Sequence, residues 1–237
     1  MTTCDAEWTS LHVLLRQSLD RAGLAARVEP ADGRSALRVV LLGGRRLPFT
    51  HFRDAGEATA WLKNAGIDAT AGTDEDSNVV LHLPSSSAEA VRDLLTAHYI
   101  RAENAAGALR RAFEQGGIDI NLVKVTVPDK GVVKIEIADS DNLQTGVHLG
   151  ALLGADDIAH GLTLHRPKGM RKLARRLRLL LTGAVGGGVS VLAEPGCAHT
   201  PDCLLIDLYV DQALRLAERL TAPDPSSSSA TGAGDPR

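Results

Sequence analysis

The chain has 237 residues, of which 44% are apolar and 23% charged, with a net charge of −3. It is long enough for one large domain or two small ones, with a core that needs neither disulfides nor metal, and the molecule as a whole has no bulk attraction for nucleic acid or acidic membranes. Three cysteines exclude a disulfide-framework secreted domain. No basic-then-apolar leader and no 18-residue apolar run is present, so a cytoplasmic location without membrane insertion is expected.

The first predicted helix carries Trp8, Leu11, Leu15, Leu19 and Ala22 on one face and stops at Gly23, a residue suited to a left-handed cap. Ala25 to Glu29 and Leu37 to Leu42 read as strands joined by Pro30-Ala31-Asp32-Gly33. A second helix is capped by Asp54, carries Ala58, Trp61 and Leu62, and ends at Gly66. Ile67 to Ala71 and Asn78 to Leu83 follow as strands across the acidic turn Thr73-Asp74-Glu75-Asp76. That turn lacks the glycine and alternation of a calcium loop.

Ser86 with Glu89 predicts a capping box for a helix whose inward face is Val91, Leu94, Leu95 and His98. A further helix from Ala102 to Gln115 carries Leu109 and Phe113 and closes on Gly116-Gly117. Ile118 to Val127 and Val132 to Ile137 flank Pro128-Asp129-Lys130-Gly131 as a hairpin. The apolar alternation of the first strand changes phase, which predicts a bulge near Leu122. Ser140 or Asp141 is expected to cap a helix reaching Leu153. The last repeat runs from a helix at Lys168, ending in Gly183 and Gly186-Gly187-Gly188, through strands Val189 to Ala193 and Leu204 to Tyr209. A helix from Asp211 to Leu220 completes it.

One cadence, helix then hairpin, thus recurs four times. The expected fold is α+β: four helix–β-hairpin repeats whose antiparallel sheet or sheets, or barrel, are covered by helices. Residues 1–153 would hold repeats one to three, 154–169 a linker, 170–221 the fourth repeat and 222–237 a disordered tail of Pro, Ser, Gly and Ala. In architecture alone the cadence resembles the units stacked in aromatic prenyltransferase barrels. No motif of that family is present, the aromatic content of 3% is too low for its pockets, and no residue role is carried over.

Few motifs point to chemistry. Gly183 to Gly188 follows a helix and precedes a strand, the reverse of a phosphate loop, so its amides do not open a helix N-terminus. Cys197, His199 and Cys203 have metal-like types, but no second ligand pair exists to complete a zinc site. A solvated loop is expected there, with a loop disulfide or metal site as alternatives. Ser85-Ser86-Ser87 lies on no nucleophile elbow. No cofactor and no catalytic set is expected.

Charge is the strongest signal. Arg166, Lys168, Arg171, Lys172, Arg175, Arg176 and Arg178 place seven cations in thirteen residues without an acid, while the rest of the chain has 19 basic and 29 acidic residues, a balance of −10. On a helix, Met170, Leu173, Leu177 and Leu180 form the apolar stripe and the cations project elsewhere. Arg171/Arg175 and Lys172/Arg176 are like charges at i, i+4, which cost stability. A second stretch interleaves Arg45, Arg46 and Arg53 with Phe49 and Phe52, a composition suited to gripping single strands. The leading expectation is a non-catalytic binding protein whose arginine-rich helix engages an anionic partner, nucleic acid or an acidic protein surface. The alternatives are an enzyme or ligand-binding barrel with a pocket lined by several of His82, His98, His148 and His160, and an oligomeric scaffold pairing through a sheet edge or the Leu177 to Leu181 run, that is, a homo-oligomer.

Overall fold

The computed structural model describes residues 3–31, 36–42, 54–128, 131–139, 143–197 and 199–222, with the backbone alone for 3–10. The protein is mixed helix and sheet, and its contacts divide it into two units. Unit 1 is Met1–Ala102 with Pro128–Gly131; unit 2 is Glu103–Val127 with Val132–Arg237. The eight strands form two four-stranded antiparallel sheets.

In unit 1 the order is α1 (Thr3–Arg21), β1 (Ala26–Pro30), β2 (Ala36–Leu41), α2 (Ala55–Asn64), β3 (Thr70–Thr73), β4 (Val79–Pro84) and the start of α3 (Ala88–Gln115). The sheet order is β1-β2-β4-β3. Val28, Val39, Leu81 and Ala71 stand in one row across it. That row faces a core closed by Leu15 and Leu19 of α1, Ala58 and Leu62 of α2, and Val91 and Leu95 of α3. Period-2 alternation puts these strand residues on one side, as required for a sheet covered on that face. The side chain of Asp54 caps α2 by accepting from the Glu57 amide at 2.9 Å, as the sequence indicates.

Unit 2 continues from α3 through β5 (Val123–Thr126), β6 (Val132–Asp139), α4 (Gln144–Leu152), α5 (Pro167–Val185), β7 (Ser190–Glu194), β8 (Asp202–Tyr209) and α6 (Val210–Thr221). Its sheet order, β5-β6-β8-β7, is the order of unit 1 shifted by four strands. Val125, Ile135, Ile206 and Val191 make the corresponding row. They pack with Leu109 and Phe113 of α3, Leu149 of α4, Leu173, Leu177 and Leu181 of α5, and Leu216 of α6. No helix among the described residues is long and apolar enough to cross a membrane.

Four local expectations are corrected. The helices expected at Ser86 and at Ala102 are one helix of 28 residues, because no glycine or proline interrupts the sequence between them. Ser85–Ser87 form a single 3-10 turn ahead of it, so α3 begins at Ala88 without the Ser86 capping box. The strand expected from Ile118 starts only at Val123. Residues 119–122 are a turn in which Asp119 accepts from the Asn121 amide at 2.9 Å, and this turn accounts for the phase change attributed to a bulge. The apolar stripe of α5 closes through Leu181 and Val185, and Leu180 is only half-buried.

Ser140 and Asp141, expected as caps of α4, lie outside the described residues. Asp139, buried at the end of β6, holds that helix start: its Oδ2 accepts from the Thr145 amide at 2.8 Å and from the Thr145 hydroxyl at 2.9 Å. Residues 154–169, expected as a linker, supply Ile158 and Leu164 to the unit 2 core. The tail from 223 onward lies outside the described residues.

Candidate functional site

The sequence builds α5 as a strong helix with sharp ends. Pro167 occupies the first turn, where its missing N–H costs nothing. Ala, Leu, Arg, Lys and Met follow, all good helix formers. Gly186 ends the helix in the left-handed region at φ 70, its amide returning to the Thr182 carbonyl at 3.1 Å. This is the helix stop expected of the glycine run. Met170, Leu173, Ala174, Leu177, Leu181 and Val185 are buried in unit 2.

That anchored face leaves the cations outward. Arg166 stands at the N-cap, and Arg166, Lys168, Arg171, Lys172, Arg175, Arg176 and Arg178 are all exposed. At 100° per residue, Lys168, Arg171, Lys172, Arg175 and Arg178 share an arc of about 120°, and they span about 15 Å along the axis. Among the described residues none of the seven forms an ion pair; pairs occur instead at Arg16–Asp20, Arg38–Glu29 and Arg92–Asp93. Arg176 alone has an internal task. Its Nη1 donates to the Ile158 carbonyl at 2.6 Å and to the His160 carbonyl at 3.0 Å, tying the 155–165 segment to the helix. From Ile158 to Ala193 the sequence contains no acid at all. The helix carries no acid in its first turn and no base in its last, so its cations crowd the positive end of the macrodipole and reinforce the local field.

Two clefts flank the outer end of this ridge. One of about 550 Å³ is lined by Leu153, Leu179, Leu180, Gly183, Ala184 and Arg219. The other, of about 320 Å³, shares Leu179 and Leu180 and adds Ile158, with Asp157, His160 and Arg176 at its polar side. Leu179 is 65% exposed and lies within the cationic arc, between the bearings of Arg175 and Lys172. A sequence signal for Leu179 exists, since it stands about 200° from Leu177 on the helical wheel. Arg219 comes from α6 and only the tertiary structure brings it to the cleft.

Arg45, Arg46 and Arg53, with Phe49 and Phe52, lie outside the described residues. His82 is exposed on β4, and His98 is half-buried on α3 with a partner of its own. His148 bonds the Gly116 carbonyl at 2.9 Å, and His160 sits at the smaller cleft. Asp74 serves its own turn. It accepts from the amides of Asp76 at 3.0 Å and Asn78 at 2.8 Å, and the Asn78 side chain holds its carboxyl below the usual range.

Cys197 and Cys203 are free thiols. The Cys197 thiol contacts the Thr200 hydroxyl at 3.2 Å. That hydroxyl, then the His199 amide, lowers its pKa. Burial, with Glu136 and Glu194 nearby, pushes Cys203 up to about 11. Among the described residues no group of three His, Cys, Asp or Glu is placed to hold a metal ion. No protein-family model matches the chain, and comparisons with curated proteins and with solved structures find no match.

Proposed function

We propose that this chain is a non-catalytic binding protein that engages a nucleic-acid backbone on the outward face of α5. One observation carries the reading: beside Arg176, which is spent on two backbone carbonyls, six exposed cations stand without any side-chain partner among the described residues, in a stretch of 36 residues free of acid. Cations that merely balanced the acidic remainder of the chain would meet its carboxylates. Four of these six are arginines, whose planar forks match phosphate oxygens. A membrane surface fits less well, because the apolar face of α5 is committed to the core and no apolar stripe is left to insert. The helix–hairpin unit reads as one building block used four times, a reading supported by the four sequential antiparallel pairs β1–β2, β3–β4, β5–β6 and β7–β8, with positive charge concentrated on the fourth copy.

Contacts of this kind are to phosphate and carry no sequence information. Anisotropy of a fluorescein-labelled 20-nucleotide strand, titrated with the full chain between 50 and 300 mM salt, tests the reading. Five phosphate contacts give a slope of log K against log salt of about −3.5. The fourfold variant Arg171→Gln, Lys172→Gln, Arg175→Gln, Arg178→Gln should flatten that slope to about −0.7 and weaken binding at least about thirtyfold. Arg176 is spared because it holds the Ile158 and His160 carbonyls. Binding that survives the fourfold change overturns the assignment to α5.

A further inference from the structure

The outer end of α5 has a feature that a phosphate-only ridge does not need. Leu179 is left in solvent just past Arg178, at the C-terminal end of the cationic arc, and it lines two clefts whose floors are apolar. A duplex keeps its base faces stacked inside and offers phosphate, sugar and, within its grooves, base edges alone. A single strand offers bases with apolar faces and polar edges. Resting on the reading above, we propose that the polyanion is a single strand, and that neighbouring bases straddle Leu179, one in each cleft, while their phosphates lie along Lys172, Arg175 and Arg178.

The chemistry of both clefts suits that occupant. The larger joins Leu153, Leu180 and Ala184 to the guanidinium of Arg219, an apolar floor beside a flat cation on which a base face can rest. The smaller has Ile158 and Leu180 below, with Asp157 and His160 at its side. Asp157 is the one carboxylate lining either cleft among the described residues, and it can accept from the amino group of a base edge. Volumes of about 320 and 550 Å³ lie in the lower half of the range of small-ligand sites, roughly 300–1,000 Å³. The cations supply charge complementarity along one side, and Gly183, with nothing within 4 Å of an added Cβ, leaves the larger cleft open.

Three labelled probes of equal length separate the contributions: a mixed-sequence 20-nucleotide strand, the same sequence as a duplex, and a 20-unit strand lacking all bases. Each is titrated with the full chain at fixed salt. The natural strand should bind about tenfold more tightly than the abasic one, the gain expected from burying about 55 Å² of apolar base surface against the leucines. Leu179→Ser, a change at an exposed position, should remove that tenfold and leave the affinities for abasic strand and duplex unchanged. Circular dichroism checks that the variant is folded. Equal affinity for natural and abasic strands, or a Leu179→Ser variant that keeps the full preference, overturns the base clefts and leaves the ridge standing. Absence of binding to all three probes, or binding indifferent to the four glutamine substitutions, overturns the ridge and the clefts together.

Discussion

Cys197 and Cys203 lie six residues apart in the sequence and in opposite electrostatic surroundings. Thiolate is the reactive form, so what stabilises it raises reactivity. The Thr200 hydroxyl and the His199 amide favour the Cys197 thiolate, and the thiol is exposed. Burial raises Cys203 to about 11, which leaves about one thiolate in a thousand at pH 8. Iodoacetamide at pH 8 should therefore alkylate Cys197 in the folded protein while Cys203 stays protected until denaturant is added, as read by site-resolved mass spectrometry. The Cys197 rate should rise with pH until its thiol is fully ionised, at a pH below that of an ordinary thiol. Thr200→Val removes the leading hydrogen bond and should slow Cys197 at pH 8. Equal rates in the parent and Thr200→Val would show that the hydroxyl does not tune the thiol. The pattern C-x-H-x3-C shows the atoms but not this difference, because the shifts come from Thr200 in the turn and from burial against β6 and β7.

At the scale of the element, α5 shows how two glycines in one helix do unlike work. Gly169 is pressed against the backbone of Thr163: a Cβ there would overlap the Thr163 carbonyl, with its carbon at 2.6 Å. Gly183 faces open space. Gly169→Ala should cost about 3 kcal/mol, the upper part of the range for overpacking, because the obstacle is backbone. Gly183→Ala should stabilise by about 0.5–1 kcal/mol through helix propensity and a less flexible unfolded chain. Urea unfolding of both variants tests the pair, and a Gly169→Ala variant as stable as the parent would show that the packing is loose. Elements like α5 are legible in sequence because cap, periodicity and stop agree: Pro167, the Met170-Leu173-Leu177 stripe and Gly186. β5 reads too long in the sequence because Ile118 is apolar for a different reason, packing under a turn into the core. α3 reads as two helices because its large apolar residues lapse between Leu95 and Leu109, where the buried apolar positions are Ala102, Ala105 and Ala106, although the backbone does not break. The cationic arc of the candidate site is readable from spacing alone. The clefts are not, since Arg219, Leu153 and Ile158 reach Leu179 and Leu180 only through tertiary packing.

Across the whole molecule the cations of α5 act against stability, which is informative about their role. Lys168/Lys172, Arg171/Arg175 and Lys172/Arg176 repel at i, i+4, each pair costing about 0.2–0.5 kcal/mol. Lys168 also sits in the first turn, where the helix dipole disfavours a cation by about 0.3–1 kcal/mol. The remainder of the chain holds ten more acids than bases, yet none meets these groups among the described residues. At physiological salt the screening length is about 8 Å, so distant carboxylates relieve little of this repulsion. Lys168→Glu reverses both effects at once. It places an acid at the positive end of the dipole and gives Lys172 a carboxylate partner one turn earlier, the favourable orientation for such a pair, with almost no change in helix propensity. The variant should be more stable by about 1 kcal/mol, raising Tm by about 2–4 °C. The same variant should bind the 20-nucleotide strand several-fold more weakly, with a salt slope shallower by about 1. A gain in stability joined to a loss of binding is the signature of a surface kept for a partner at the expense of the fold. A Lys168→Glu protein that loses stability instead would mean that acids of this same chain already neutralise the ridge, and the reading of α5 as a docking face would fail with it.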